Sequence, residues 1–428
     1  MKRKVKAKMK PLSQILIGAK RHFRYGILLL FGALALSGCA TGGTGLSGGG
    51  VSVPDVGPVL SSNFGKTEAT RGTEDLPKIE VLVPVFDPNI PEDSDTWEKK
   101  GIYPELRRAE SNRFALKMKS ALEDTDAFGA VRVVPNTTAT GDLYIIGKII
   151  QSNGEDVKIN LTATDITGRR WFTQDFQHRV KEAFHRNIRN KGKDSYTPLF
   201  ENAAAYIVNQ LKKRKAETLA YLQSVSEIRF GASLSEETFT RYLKPDGGRV
   251  VLAAAPADGD PMLQRIKPIR VRHQLFVDRM QDHYADFDRK LDESYLVWQQ
   301  QSLVEVKGAR VAKDKAITRG ILGGLLLVAG AVAAAETNNA AGEVAAVGAI
   351  GAGAAVLGSS FQNRAEMKVH REAFAELGRD IDIQMAPQVV EYENETAKLT
   401  GDAAEQYAQW VAFLKKIYDL EATPAKQL

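Results

Sequence analysis

The chain holds one thiol, Cys39, and six histidines, and these set the limits of the chemistry it can perform. A thiol is the strongest nucleophile among common side chains once ionised. With a single cysteine no intrachain disulfide forms. Cys39 follows Leu36-Ser37-Gly38, a short run ending in small residues, and an apolar stretch from Ile27 to Leu36 precedes it. The histidines are His22, His178, His185, His273, His283 and His370, and none lies in the His-Glu-x-x-His spacing that puts two zinc ligands on one helix face. There is no Gly-x-Ser-x-Gly nucleophile elbow. Gly320 to Gly324 is followed by leucine, not by the Lys and Ser/Thr of a phosphate loop. Asp87, Glu92, Asp93 and Asp95 share a loop, but without the alternating ligands and central glycine of a calcium loop they read as a solvated turn. No metal, cofactor or catalytic residue is expected.

The segment around Cys39 resembles the signal peptide of bacterial lipoproteins. The match rests on the basic start, the short apolar core and Leu36-Ser37-Gly38-Cys39. An apolar run of about 12 residues is too short to span a ~30 Å hydrocarbon core, which disfavours a simple membrane anchor. The resemblance implies cleavage after Gly38 and covalent lipid on Cys39, including palmitate. Ala40, where an Asp would imply retention in the inner membrane, implies an outer-membrane address on the periplasmic face. Removing residues 1–38, with nine Lys and Arg and no acid, takes the formal charge from +6 to −3. The basic balance that would suggest nucleic acid is therefore lost with the signal, and no nucleic-acid partner is expected. Lys212-Lys213-Arg214-Lys215 reads as a solvated helix face.

The elements that follow give an α+β fold. Residues 39–76, rich in Gly, Ser, Thr and Pro, read as a flexible tether. Residues 77–225 read as an α/β domain of order β-α-β-β-β-β-α. Its strands are expected at Ile79–Phe86, Val131–Val134, Leu143–Ile150, Val157–Ala163 and Trp171–His178, and its helices at 103–124 and 197–222. Asn153-Gly154 is a strong hairpin signal. Lys78 to Phe86, Phe128 to Val134, and Gly141 to Gly147 running into the Asp165–Gly168 turn resemble the periplasmic α/β domain of curli-secretion-channel lipoproteins. They also resemble the outer-membrane activators of penicillin-binding proteins and the amino-terminal domain of TolB. The resemblance implies a periplasmic domain that serves oligomerisation or partner contact.

Residues 226–315 read as a mixed stretch and then a long amphipathic helix from about Ile269. Phe276, Met280, Tyr284, Phe287, Leu291, Tyr295 and Trp298 form one stripe. Aromatics suit a coiled-coil seam poorly, so intramolecular packing is favoured. Residues 316–358 carry two Gly/Ala-rich runs about a polar turn. Gly320 and Gly324, Ala349 and Gly353, and Ala354 and Gly358 stand four apart, which lets two helix backbones approach closely. The pattern resembles the glycine-zipper hairpins of some outer-membrane lipoproteins. Membrane association is favoured over an oligomer core or a soluble buried hairpin. Residues 359–428 read as a C-terminal helical segment, with Val389–Leu399 open between hairpin and helix.

The expected function is a non-enzymatic, lipid-anchored envelope scaffold or secretion component. Its partners would be membrane lipid and periplasmic or envelope proteins, with a homo-oligomer left open. The alternative is a binding module that activates a peptidoglycan or polysaccharide enzyme.

Overall fold

A computed structural model describes residues 72–422 apart from 98–100, 255, 258, 332–371, 373 and 393–394, with backbone alone at 309, 312–331 and 421–422. The chain divides into two compact units, Met1–Ser62 and Asn63–Leu428, and every described residue lies in the second. Strand β1 (Val81–Pro84) is buried along its whole length. It lies one place in from the edge of a mixed sheet ordered β2-β1-β3-β4-β5, with β2 Val131–Val134, β3 Leu143–Ser152, β4 Asp156–Asp165 and β5 Arg170–Arg179. β1 is parallel to both β2 and β3, whereas β3, β4 and β5 form an antiparallel meander. Parallel neighbours need a crossover, and helix α1 (Pro104–Glu123) supplies it between β1 and β2. Along β4, buried Val157, Ile159, Leu161 and Ala163 alternate with half-buried polar residues, so one sheet face carries the core.

Two glycines show how closely the layers approach. A Cβ on Gly147 of β3 would stand 2.4 Å from the Phe86 ring, so only glycine lets that ring lie on the strand. Gly154, at φ +86° in the β3–β4 turn, would put a Cβ 2.5 Å from that of Ser302 on the long helix described below. Asn153 closes the same turn through its side chain, which accepts from the amides of Glu155 and Asp156.

After the sheet come α2 (Thr197–Leu211) and α3 (Ala216–Leu234), where one helix over 197–222 is expected. The break falls in the basic run. Lys212–Arg214 turn the corner, and the Arg214 guanidinium lies 4.6 Å from the centre of the Trp171 ring. That run is thus a corner and not a helix face, with Lys213 and Lys215 exposed as expected and Arg214 packed on Trp171. Next come a two-stranded hairpin, β6 (Leu243–Asp246) and β7 (Arg249–Leu252), and the long helix α4 (Pro261–Ala331). α4 starts earlier than its periodicity suggests. The Asp260 carboxylate accepts from the amides of Met262 and Leu263, and Pro261 occupies the first turn, where its missing N–H costs nothing. Pro268 lies inside the helix instead of ending it.

Every member of the stripe from Phe276 to Trp298 is buried. The stripe packs within the chain, on the α/β layer and on helix α5 (Ala403–Ala422), where Phe276 stacks on Trp410 at 4.8 Å. Strands β8 (Gln388–Tyr392) and β9 (Glu395–Leu399) pair antiparallel. The molecule is thus α+β, a mixed five-stranded sheet with helices followed by a long helix and small hairpins. Among the described residues no helix is long and apolar enough to cross a membrane.

Candidate functional site: the seat of the long helix

Helix α1 buries two faces. Phe114, Met118 and Leu122 belong to the apolar core, and Glu110 and Arg113 are buried as well. Helix α4 covers the charged residues of that second face. Arg113, fully buried, donates from Nε and Nη2 to Asp194 Oδ2 at 3.2 and 2.8 Å. It also donates to Asp288 Oδ1 at 2.5 Å and Asp292 Oδ1 at 2.8 Å, one turn apart on α4. Lys117 adds a contact to Asp288 at 3.1 Å. Below Arg113, the Tyr295 ring centre lies 4.5 Å away, and the Tyr295 hydroxyl donates to Glu110 Oε1 at 2.8 Å. Ser152, from the end of β3, donates to the same oxygen.

The electrostatics follow from burial and pairing. Burial works against the Asp194 charge. Arg113, the Tyr196 amide and Gln299 outweigh it and hold the carboxyl below its ordinary value. Burial also dominates at Glu110. Arg107, Ser152 and Tyr295 only partly oppose it, so that carboxyl is raised. Arg113 stays firmly protonated because Asp194 and Asp288 more than offset its desolvation.

A second cluster fixes the earlier part of α4. Arg132 of β2 grips Asp278 in a bidentate pair at 2.6 and 3.0 Å and also reaches Glu80. The Gln281 amide accepts from Val133 N at 2.8 Å and donates to Val133 O at 2.9 Å. An edge strand exposes such groups to any passing chain, and here one side chain of α4 occupies them. Past Leu303, Arg310 pairs with Glu155 at 2.7 Å and Lys307 with Glu182. The chain returns on the same side. Arg108 donates to Gly378 O at 2.6 Å and Asn112 to Ile381 O at 2.7 Å, both from the first half of α1.

These contacts hold a helix; they do not present a reacting atom. Sequence reading missed all of them. The only available signal was opposite charge at helical spacing, Glu110 and Arg113 on one helix and Asp288 and Asp292 on another, and solvated faces carry the same pattern. Of the site residues read from sequence, Leu36, Ser37, Gly38, Cys39, Ala349, Gly353, Ala354 and Gly358 lie outside the described residues. Gly320 and Gly324 lie in α4 beyond its seat. In the acidic loop, Asp87 pairs with Lys148 at 3.1 Å and Asp93 accepts from the Asp95 amide. Among the described residues no group of three metal-ligating side chains converges. No known family, no curated protein and no solved structure matches this chain.

Proposed function

We propose that this chain is a non-enzymatic, lipid-anchored envelope scaffold whose α/β body roots a long helix and presents the Gly/Ala-rich 316–358 region to a membrane or to further copies. The observation that carries this reading is the seat just described. α4 is tied to the sheet and to α1 at Asp278, Gln281, Asp288 and Asp292. Both flanks of residues 311–373 are fastened beside the β3–β4 turn and the first half of α1. At ~1.5 Å per residue, α4 runs about 42 Å between Leu303 and Ala331. A segment that starts and finishes at one side of a rigid body suits an out-and-back hairpin. Its small residues at four-residue spacing suit close packing of the two arms.

Fractionation of a Cys39→Ser variant tests the proposal. With 316–358 intact, the variant is expected to stay in the membrane fraction until detergent is added, or to crosslink into a defined oligomer. Deleting 316–358 in the same background is expected to abolish both. A Cys39→Ser protein that is soluble and monomeric with 316–358 intact refutes the proposed role of that region. A wild-type chain that carries no lipid refutes the anchor.

A further inference from the structure

Between β5 and α2, residues 181–193 project from the body, and all but Phe184, His185 and Asn190 are exposed. Both ends of the projection are rooted. The Val180 amide donates to Glu155 O at 2.8 Å, and the Ser195 amide donates to Gln299 Oε1 of α4 at 3.1 Å. Glu182 pairs with Lys307 of α4, close to where that helix leaves the body. The tip is a formed turn. The Asn187 side chain accepts from the Arg189 amide at 3.1 Å, and Asn190 Nδ2 donates to Phe184 O at 3.1 Å. There stands Ile188, 81% exposed, the most exposed large apolar side chain among the described residues.

Lys181, Arg186, Arg189, Lys191 and Lys193 share the segment with one acid, Glu182. Arg186 and Lys307 already occupy that acid, and Arg189, Lys191 and Lys193 pair with no acid among the described residues. The positive sign is local, since the chain without residues 1–38 carries a formal −3. Solvation accounts for the cations but not for a bare isoleucine at their crown, whose transfer out of water is favourable. An anionic bilayer takes both, because headgroups meet the cations while the aliphatic tip enters the interface. An acidic protein would meet the cations yet would need a pocket of its own for Ile188.

We propose that residues 181–193 dock the body on an anionic phospholipid surface, with Arg189, Lys191 and Lys193 on headgroups and Ile188 in the interface. The choice of a bilayer rests in part on the membrane-facing reading of 316–358, since α4 leaves the body beside this segment.

Cys39 is the one thiol, so the full chain with Cys39→Ser and Ile188→Cys accepts a single environment-sensitive fluorophore at the tip. Vesicles of phosphatidylglycerol and phosphatidylethanolamine are expected to shift its emission to the blue, and vesicles of phosphatidylcholine are not. About 0.5 M salt is expected to reverse the shift. Replacing Arg189, Lys191 and Lys193 with Glu should raise the lipid concentration at half-shift at least about tenfold, with an unchanged circular dichroism spectrum. A label at exposed Lys398 should not respond. Its strand pairs with the one whose Tyr392 lies on Arg272, and Arg272 is about 50 Å along α4 from Lys307. A label at 188 that stays in water while the chain floats with the vesicles overturns the docking and leaves the membrane reading of 316–358 standing. A label that shifts in a chain whose triple-Glu variant no longer floats supports the docking and counts against that reading. Equal shifts with both vesicle types, or in the triple-Glu variant, overturn the ionic recognition. Binding of poly-glutamate with no shift on anionic vesicles overturns the bilayer in favour of an acidic protein.

Discussion

Replacing Arg113 with Met removes the centre of the helix seat while keeping much of the aliphatic stem. Five donors disappear, and with them the principal counter-ion of Asp194, which is 8% exposed. Asp194 keeps the Tyr196 amide at 2.9 Å and Gln299 at 2.7 Å, but no cation takes the place of Arg113 within bonding distance. Breaking one side of a buried pair costs about 3–5 kcal/mol. Asp288 retains Lys117, and the Asp292 side chain is 42% exposed, so these acids add little. The expected loss at pH 7 is about 3–4 kcal/mol, a large share of the ~5–15 kcal/mol that holds a domain together. The pH dependence has a definite sign. In the wild type, Asp194 is held below its ordinary value, so its contribution is present at neutral pH and is lost as pH falls through the lowered value. In the variant, burial is no longer offset and the carboxyl moves above its ordinary value. The folded variant then binds a proton more readily than the unfolded chain, and its deficit shrinks as pH falls from 7 towards about 4. Urea unfolding at pH 7 and pH 4, followed by near-ultraviolet circular dichroism, measures both quantities. Hydrogen exchange over residues 285–303 reports whether α4 loosens first. A loss under about 1 kcal/mol at pH 7, or one that is unchanged at pH 4, refutes the reasoning.

Gly154→Val should cost about 2 kcal/mol or more, because the side chain meets both a positive φ and the Ser302 Cβ. Its exchange signature should appear in the β3–β4 turn and around residue 302, whereas protection confined to normal values across α4 would show that the turn does not press on the helix. His273, neutral down to about 4 through burial and the nearby Arg270 and Arg132, should make the fold lose about 3 kcal/mol as pH drops from ~6.5 to ~4, since only the unfolded chain takes up the proton there. Asp382, raised to about 6 by burial and by Asp402, works in the opposite direction, so the measurement is the difference between wild type and His273→Phe across that window.

The parts of the fold visible in the sequence are those fixed by local pattern. Alternation from Val157 to Ala163 marked β4, and Asn153-Gly154 marked a turn whose glycine does sit at positive φ. The aromatic stripe of α4 was visible because seven residues at three- and four-residue spacing are hard to mistake. The break after Leu211 was not visible, since no glycine or proline marks it and the stacking of Arg214 on Trp171 is a tertiary contact. The start of α4 could have been read, because Asp260-Pro261 is a cap followed by a first-turn proline. The seat itself left almost no trace. Arg113 and its three acids are 81, 175 and 179 positions apart in the chain, and only the fold brings them together.

That distribution of roles bears on why the seat is polar. The α4 stripe repeats similar residues every three or four positions, so sliding the helix by one turn, about 5.4 Å, would still bury apolar surface against apolar surface. The polar contacts forbid it. One turn of slip in either direction would take Gln281 from Val133 and Gln299 from Asp194, leaving buried groups unpaired, whereas Asp288 and Asp292, one turn apart, would change places on Arg113. Buried ion pairs add little net stability over an apolar equivalent, but each orphaned member is expensive. The stripe therefore supplies most of the adhesion, and the Gln281 and Gln299 contacts set register. For a helix that runs on about 42 Å beyond Leu303, register at the seat decides which residues stand at its far end and how they are turned. A body that roots such a helix has more use for one fixed position than for a few further kcal/mol.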